Sequence, residues 1–240
     1  SKIPQKDRPL LDVLYLLADY YFKNNEFTTA LEYYRYDLCF NQDRVDSWFP
    51  LALSLVNVLE QKLNETYKDP ASGKVLELCD DLISRIMVDS DVIMKCYARC
   101  HLLSPKNSMI CIESANFAYT MHSFCTRQLD ILDNMEENLK LKVKRRIPRY
   151  LDYASDYYEK AFKLMEAHDE PDEMWLLHFM KGKICEKRKQ TMKQCLSEYM
   201  KALDMLLEQS AILPKKISYN SPTELSLELL EVYYRIHATI

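Results

Sequence analysis

An all-α chain, organised as an array of helical repeats, is what this sequence predicts, and three observations carry the prediction. Only two glycines, Gly73 and Gly182, occur in 240 residues. Tight β-hairpins need residues at positive φ, so a chain this poor in glycine is not a sandwich or barrel. Leu, Glu, Lys, Ala, Met and Tyr dominate, a set weighted toward strong helix formers. Finally, small and apolar residues recur at a fixed interval: Leu17–Ala18 and Leu51–Ala52 lie 34 residues apart, as do Leu14 and Trp48.

The first repeat is read from residues 14–55, with Leu14, Leu17, Ala18, Tyr21, Phe27, Ala30, Tyr34, Trp48, Leu51 and Ala52 as its packing positions. Ala18 and Ala30 let two antiparallel helices approach, while the larger side chains fill the groove toward the next pair. Asn24 and Asn25 make the turn, because Asn tolerates the left-handed region better than other non-Gly residues. This pattern resembles the tetratricopeptide repeat, which implies a right-handed helical solenoid. Two positions depart from it: Asp37 stands where Ala is usual, and Gln42 where Pro is usual.

Further along, "NETYKDPASGK" (64–74) predicts a loop, and 64–95 as a whole an insert of loop and helix. "CYARCHLLSP" (96–105) reads as the end of a second helix, and "MICIESANFAYTMHSF" (109–124) as the first helix that follows it. The middle repeat is therefore placed at 96–125, after first repeats at 11–63. Residues 126–150 form an irregular insert, and 151–240 hold the C-terminal repeats. There "YASDYYEKAFKLM" (153–165), "WLLHFMKGKICEK" (175–187) and "CLSEYMKALDML" (195–206) are successive helices, with Gly182 at a small position. A polar connector then leads from Ala211 to a last helix starting near Pro222, with Ser221 as N-cap and Glu224 completing a capping box. Ser1 in place of an initiator Met, and "EVYYRIHATI" ending without a C-cap, read as a single array cut from a longer chain.

Composition excludes several function classes. A net charge of −4 and a pI near 5.8 do not provide the basic footprint of a direct nucleic-acid binder. No apolar run reaches the roughly 18–20 residues of a membrane span. Two isolated glycines leave no phosphate-binding loop, and the five histidines form no metalloprotease or hydrolase signature, so no enzyme and no cofactor are expected. Cys96, Cys100, His101, Cys111, His122 and Cys125 lack the paired knuckles of a zinc site, and helical periodicity already places most of them on packing faces. The eight cysteines read as reduced thiols of an intracellular protein, behaving as small buried hydrophobes. Two charged blocks remain. "KLKVKRRIPR" (140–149) supplies a candidate basic patch at Lys142, Lys144, Arg145 and Arg146, suited to an acidic partner or a nuclear-localisation element. "EAHDEPDE" (166–173) is an acidic stretch between helices.

A narrower resemblance rests on ordered blocks: "LADYYFKNNEFTTALEYYRYDL", "RVDSWFPLAL", "YTMHSFCTRQL", "MKGKICEK" and "LPKKISYNSPTELSLELLEVYYRIHATI". In this order they resemble the Cabin family, calcineurin-binding proteins of the HIRA histone-chaperone complex related to the third subunit of the yeast HIR complex. The last block is the specific one, since generic repeats lack it. The resemblance implies a nuclear scaffold subunit that joins HIRA and ubinuclein in replication-independent nucleosome assembly, with core histones as further partners. It makes Lys215, Lys216, Tyr219 and Asn220 of the connector the candidate partner-binding residues. Tetratricopeptide domains that grip C-terminal carboxylates use Lys and Asn on first helices. Tyr15, Asp19, Phe49 and Leu53 occupy those places here, so that clamp is absent. A generic tetratricopeptide adaptor and the regulatory array of a larger enzyme are the alternatives.

Overall fold

The computed structural model describes residues 8–67, 80–131, 135–168, 173–216 and 225–240. Among these residues the chain is all-α, with α1 (Arg8–Lys23), α2 (Phe27–Phe40), α3 (Val45–Tyr67), α4 (Asp80–Leu103), α5 (Ser108–Ile131), α6 (Glu137–His168), α7 (Met174–Lys187), α8 (Met192–Glu208) and α9 (Ser226–Thr239). The chain divides into two compact units, Ser1–Tyr150 and Leu151–Ile240.

In the first unit each helix from α1 to α5 packs on its successor, and α1 also touches α3. Ala18, Ala30 and Ala52 are wholly buried, which brings the helix axes close where α1, α2 and α3 meet. Tyr34 is wholly buried beside them, with the Phe22 ring 6.4 Å away. Leu51 is buried, while Leu14, Leu17, Tyr21, Phe27 and Trp48 are half-buried. Tyr21 lies flat against Tyr33, with centroids 5.4 Å apart.

In the second unit α7 packs on α8 and α8 on α9. Gly182 of α7 faces Tyr199 of α8 so closely that a Cβ there would stand 2.4 Å from the ring. The 153–187 segment is stitched by Lys181, which pairs with Glu159 at 2.8 Å and sits 4.2 Å above the Phe162 ring.

With glycine so scarce, other residues close the helices. Asn25 (φ 61°), Lys189 (φ 53°) and Ser210 (φ 62°) all adopt the left-handed conformation just after α1, α7 and α8. Each closure has the paired bonds of a Schellman motif: Glu26 N–H to the Tyr21 carbonyl at 2.9 Å, Gln190 to Cys185 at 3.0 Å, and Ala211 to Leu206 at 3.0 Å. Asn25 thus makes the turn that its sequence position predicts.

The helices run further than the sequence reading allows. Residues 64–67, read as the start of a loop, are the last turn of α3, and 68–79 lie outside the described residues. The boundary drawn between 95 and 96 falls inside α4. The stretch 126–150, read as irregular, is helix at 126–131 and again at 137–150. Pro148 lies inside α6, where Leu139, Val143 and Tyr150 are buried at helical spacing around it. Burying them offsets the roughly 3 kcal/mol that an interior proline costs a helix. The last helix begins at Ser226 rather than near Pro222, after Leu225 in the left-handed conformation (φ 57°). Ser221 and Glu224 lie outside the described residues.

Candidate partner-binding surfaces

Buried polar groups first define which charges are committed to the fold. Asp37, wholly buried at the end of α2, accepts from Ser47 Oγ at 2.6 Å, Asn41 Nδ2 at 2.8 Å and an Arg44 guanidinium nitrogen at 3.0 Å. Arg44 also reaches Asp12 of α1 at 2.6 Å and lies over the Tyr15 ring. The residue that departs from the repeat pattern therefore keys α2 to α3 and, through Arg44, to α1. Glu186 does the same in the second unit. It accepts from Tyr199 of α8 at 2.8 Å and Thr239 of α9 at 3.0 Å, and it pairs with Arg235 at 3.5 Å. His178 Nδ1 donates to Glu198 at 2.7 Å, and Lys201 donates to the same carboxylate at 2.8 Å. Burial alone would raise the Glu198 pKa, but these two hydrogen bonds hold it below the ordinary carboxylate value.

The candidate basic patch lies on α6 and splits in two. Arg146 belongs to the fold: its two terminal nitrogens meet Asp91 of α4 at 2.9 and 2.7 Å, and one also donates to the Met87 carbonyl at 3.0 Å. Tyr150 hydrogen-bonds Ser90 of α4 at 2.8 Å, and the Glu136 amide donates to Asp80 at 2.9 Å. Partner numbers rise together on both helices, so α4 and α6 run parallel side by side. Lys140 pairs with Glu137 at 3.8 Å. Lys142, Lys144 and Arg145, together with the neighbouring Arg149, are exposed and have no ion pair among the described residues.

Lys142 and Arg145 border an open cleft of about 380 Å³ between the start of α6 and Ser84 of α4. Glu136 and Asn138 also line it, and Leu139 and Leu141 supply apolar surface. Leu139 is buried, whereas Leu141 is about half exposed. A second groove of about 450 Å³, between Leu59 and Leu63 of α3 and Leu82 and Ile86 of α4, is apolar and bridged by the Lys62–Asp89 pair at 3.6 Å.

Of the connector residues, Lys215 and Lys216 are exposed and have no ion pair among the described residues, beside the exposed Ile212 and Leu213. Tyr219 and Asn220 lie outside the described residues. The sequence reading missed the Asp37 and Glu186 keys; a charged residue on an otherwise apolar helix face was the available signal.

The cysteines, read from the sequence as small buried hydrophobes, are so at five described positions, but Cys185 is half-buried and Cys39 is exposed on α2. Cys96, Cys100, Cys111, Cys125 and Cys195 are buried and unbridged. Burial pushes the thiols up to about 11 at Cys96 and about 12 at Cys100 and Cys125. Among the described residues no group of His, Cys, Asp or Glu is arranged to hold a metal ion, and no helix is long and apolar enough to cross a membrane. The chain is an all-α, helical-repeat-like protein in which helices pack sequentially on one another. Compared with the known protein families, it matches none.

Proposed function

We propose that the chain is a non-catalytic protein-interaction scaffold of the tetratricopeptide type, which offers clefts between successive helices to segments of partner proteins. The observation that carries this reading is the pair Ala18 and Ala52: 34 residues apart, both wholly buried, on helices α1 and α3 that touch across α2. One sequence interval is thus one structural step, the property of repeat arrays that work as binding platforms. Exposed cations with no ion pair among the described residues supply polar contact points on that platform.

A finer reading places the scaffold in the nucleus, as a subunit of a HIRA/HIR-type histone-chaperone complex. Its support is the ordered sequence blocks, above all the one holding Lys215 and Lys216. Its predicted partners are HIRA, ubinuclein and core histones. The test is a quantitative pull-down from nuclear extract, read by mass spectrometry, beside a Lys215→Ala/Lys216→Ala/Tyr219→Ala variant of equal helicity. Stoichiometric chromatin-assembly subunits, lost in the variant, support the finer reading. A different stable set of partners supports a generic adaptor. No protein above bead background in nuclear or cytosolic extract overturns the scaffold reading itself.

A further inference from the structure

We infer that the α4–α6 cleft is a docking site for an acidic peptide segment of a partner protein, held by Lys142, Arg145 and Arg149 against the apolar edge at Leu141. The inference rests on the scaffold reading and names the chemistry of one partner contact. Spacings of three and four residues put Lys142, Arg145 and Arg149 on one face of α6. Two of them border the cleft, and none has an ion pair among the described residues. Two other cations of the same segment do have partners: Lys140 meets Glu137, and Arg146 is sequestered on Asp91. The segment thus separates structural cations from free ones.

The fold gains nothing from the free set. Lys142 and Arg145 repel at i, i+3, and Arg145 and Arg149 at i, i+4, and the nearer helix end is the N-terminal one, which favours acids. In a chain of net charge −4, such a cluster is accounted for by an anionic occupant.

Charge complementarity and the apolar edge together select the class of occupant. A nucleic acid would need a longer basic track to gain from counterion release. Glu136, which lines the cleft, and Asp80, bonded to the Glu136 amide, would repel its backbone. A peptide can place its carboxylates on Lys142 and Arg145 and an apolar side chain on Leu141. Long-range attraction then speeds encounter, and the apolar contact fixes register.

The experiment measures fluorescence anisotropy of a labelled peptide of Glu and Leu, its Lys-for-Glu counterpart, and labelled oligothymidylate, at low and physiological ionic strength. The whole chain is compared with Lys142→Gln/Arg145→Gln/Arg149→Gln, with Leu141→Ser, and with Lys106→Gln/Lys187→Gln/Lys193→Gln, three exposed lysines away from the cleft, as a charge-matched control. Each exposed charge pair contributes a factor of only about 1.5 to 5, so the triple variant should bind the acidic peptide on the order of tenfold more weakly. The control should bind within about twofold of the parent, and raised salt should weaken binding to the parent more than to the triple variant. Equal binding by the triple variant overturns the assignment, as does oligothymidylate binding as tightly as the acidic peptide. The triple variant should also be no less stable than the parent to urea, which separates lost contact from lost fold. Failure here, alongside partner capture in the extract experiment, removes the cleft and leaves the scaffold standing.

Discussion

Replacing Asp37 by Ala restores the residue usual at that position of a tetratricopeptide repeat, and here it should destabilise the first unit strongly. The carboxylate is wholly buried and accepts three hydrogen bonds, from Ser47, Asn41 and Arg44. Breaking a buried ion pair by removing one partner costs about 3–5 kcal/mol. Arg44 softens the loss, because it keeps Asp12 at 2.6 Å and its side chain is 23 % exposed. The hydroxyl of Ser47 has no such outlet: Ser47 is wholly buried, and an orphaned buried donor costs about 1–3 kcal/mol. Relief from desolvating the carboxylate offsets part of this, and the net expectation is about 3 kcal/mol. Asp37→Asn should cost about half as much, since an amide oxygen can still accept from Ser47. Adding Ser47→Ala to Asp37→Ala should return about 1 kcal/mol, the signature of a shared contact. The assay is urea unfolding followed by Trp48 fluorescence in a Trp175→Phe background. Trp48 donates to the Gln42 carbonyl at 2.8 Å, so it reports on this corner. An Asp37→Ala protein within about 0.5 kcal/mol of its parent, at unchanged urea dependence, would refute the reasoning.

Other perturbations test other parts of the architecture. Gly182→Ala drives a methyl into the Tyr199 ring, 2.4 Å from the new Cβ, and should cost about 1–3 kcal/mol in the thermal unfolding of the second unit. Lys189→Gly relieves a left-handed non-glycine residue and should raise stability by about 0.5–1 kcal/mol, read from the same transition. Because the folded Glu198 pKa is depressed below 4.5, its contribution is present above that value and lost as pH falls through the folded pKa. Acid titration of the parent should therefore show a loss of stability below about pH 4.5 that Glu198→Gln reduces, Glu159 beside Lys181 accounting for part of the rest. Iodoacetamide at neutral pH should label the exposed Cys39 of the native chain but reach Cys96, Cys100 and Cys125 only after unfolding, as mapped by peptide mass spectrometry.

Local rules made much of the fold legible. The helix pair α1–α2 follows from small residues at 18 and 30 and a turn at Asn25, all short-range signals. Gly182 was legible as a small position from the repeat pattern, and the structure supplies the reason: the Tyr199 ring opposite fills the space a side chain would take. What was not legible depended on distant partners. The 126–150 stretch reads as irregular, yet Leu139, Val143 and Tyr150 are buried and α6 runs through Pro148. The split of the basic block into bound Arg146 and free Lys142 and Arg145 is set by Asp91 of α4, 55 residues away. The capping box at Thr191 and Gln194 has the S/T-x-x-E/Q spacing, a short-range signal that the sequence reading missed.

The Asp37 and Glu186 keys carry a consequence for how such a chain can be edited. Consensus repeat arrays can be lengthened, shortened or shuffled because every junction is interchangeable. Here each key is written in letters drawn from different helices: α2 supplies Asp37 while α3 supplies Ser47, and α7 supplies Glu186 while α9 supplies Arg235 and Thr239. Excising or transplanting one helix pair would leave a carboxylate facing a junction that cannot answer it. The order of the helices is thereby locked by chemistry as well as by chain connectivity, and evolution can vary the outer surfaces far more freely than the sequence of modules.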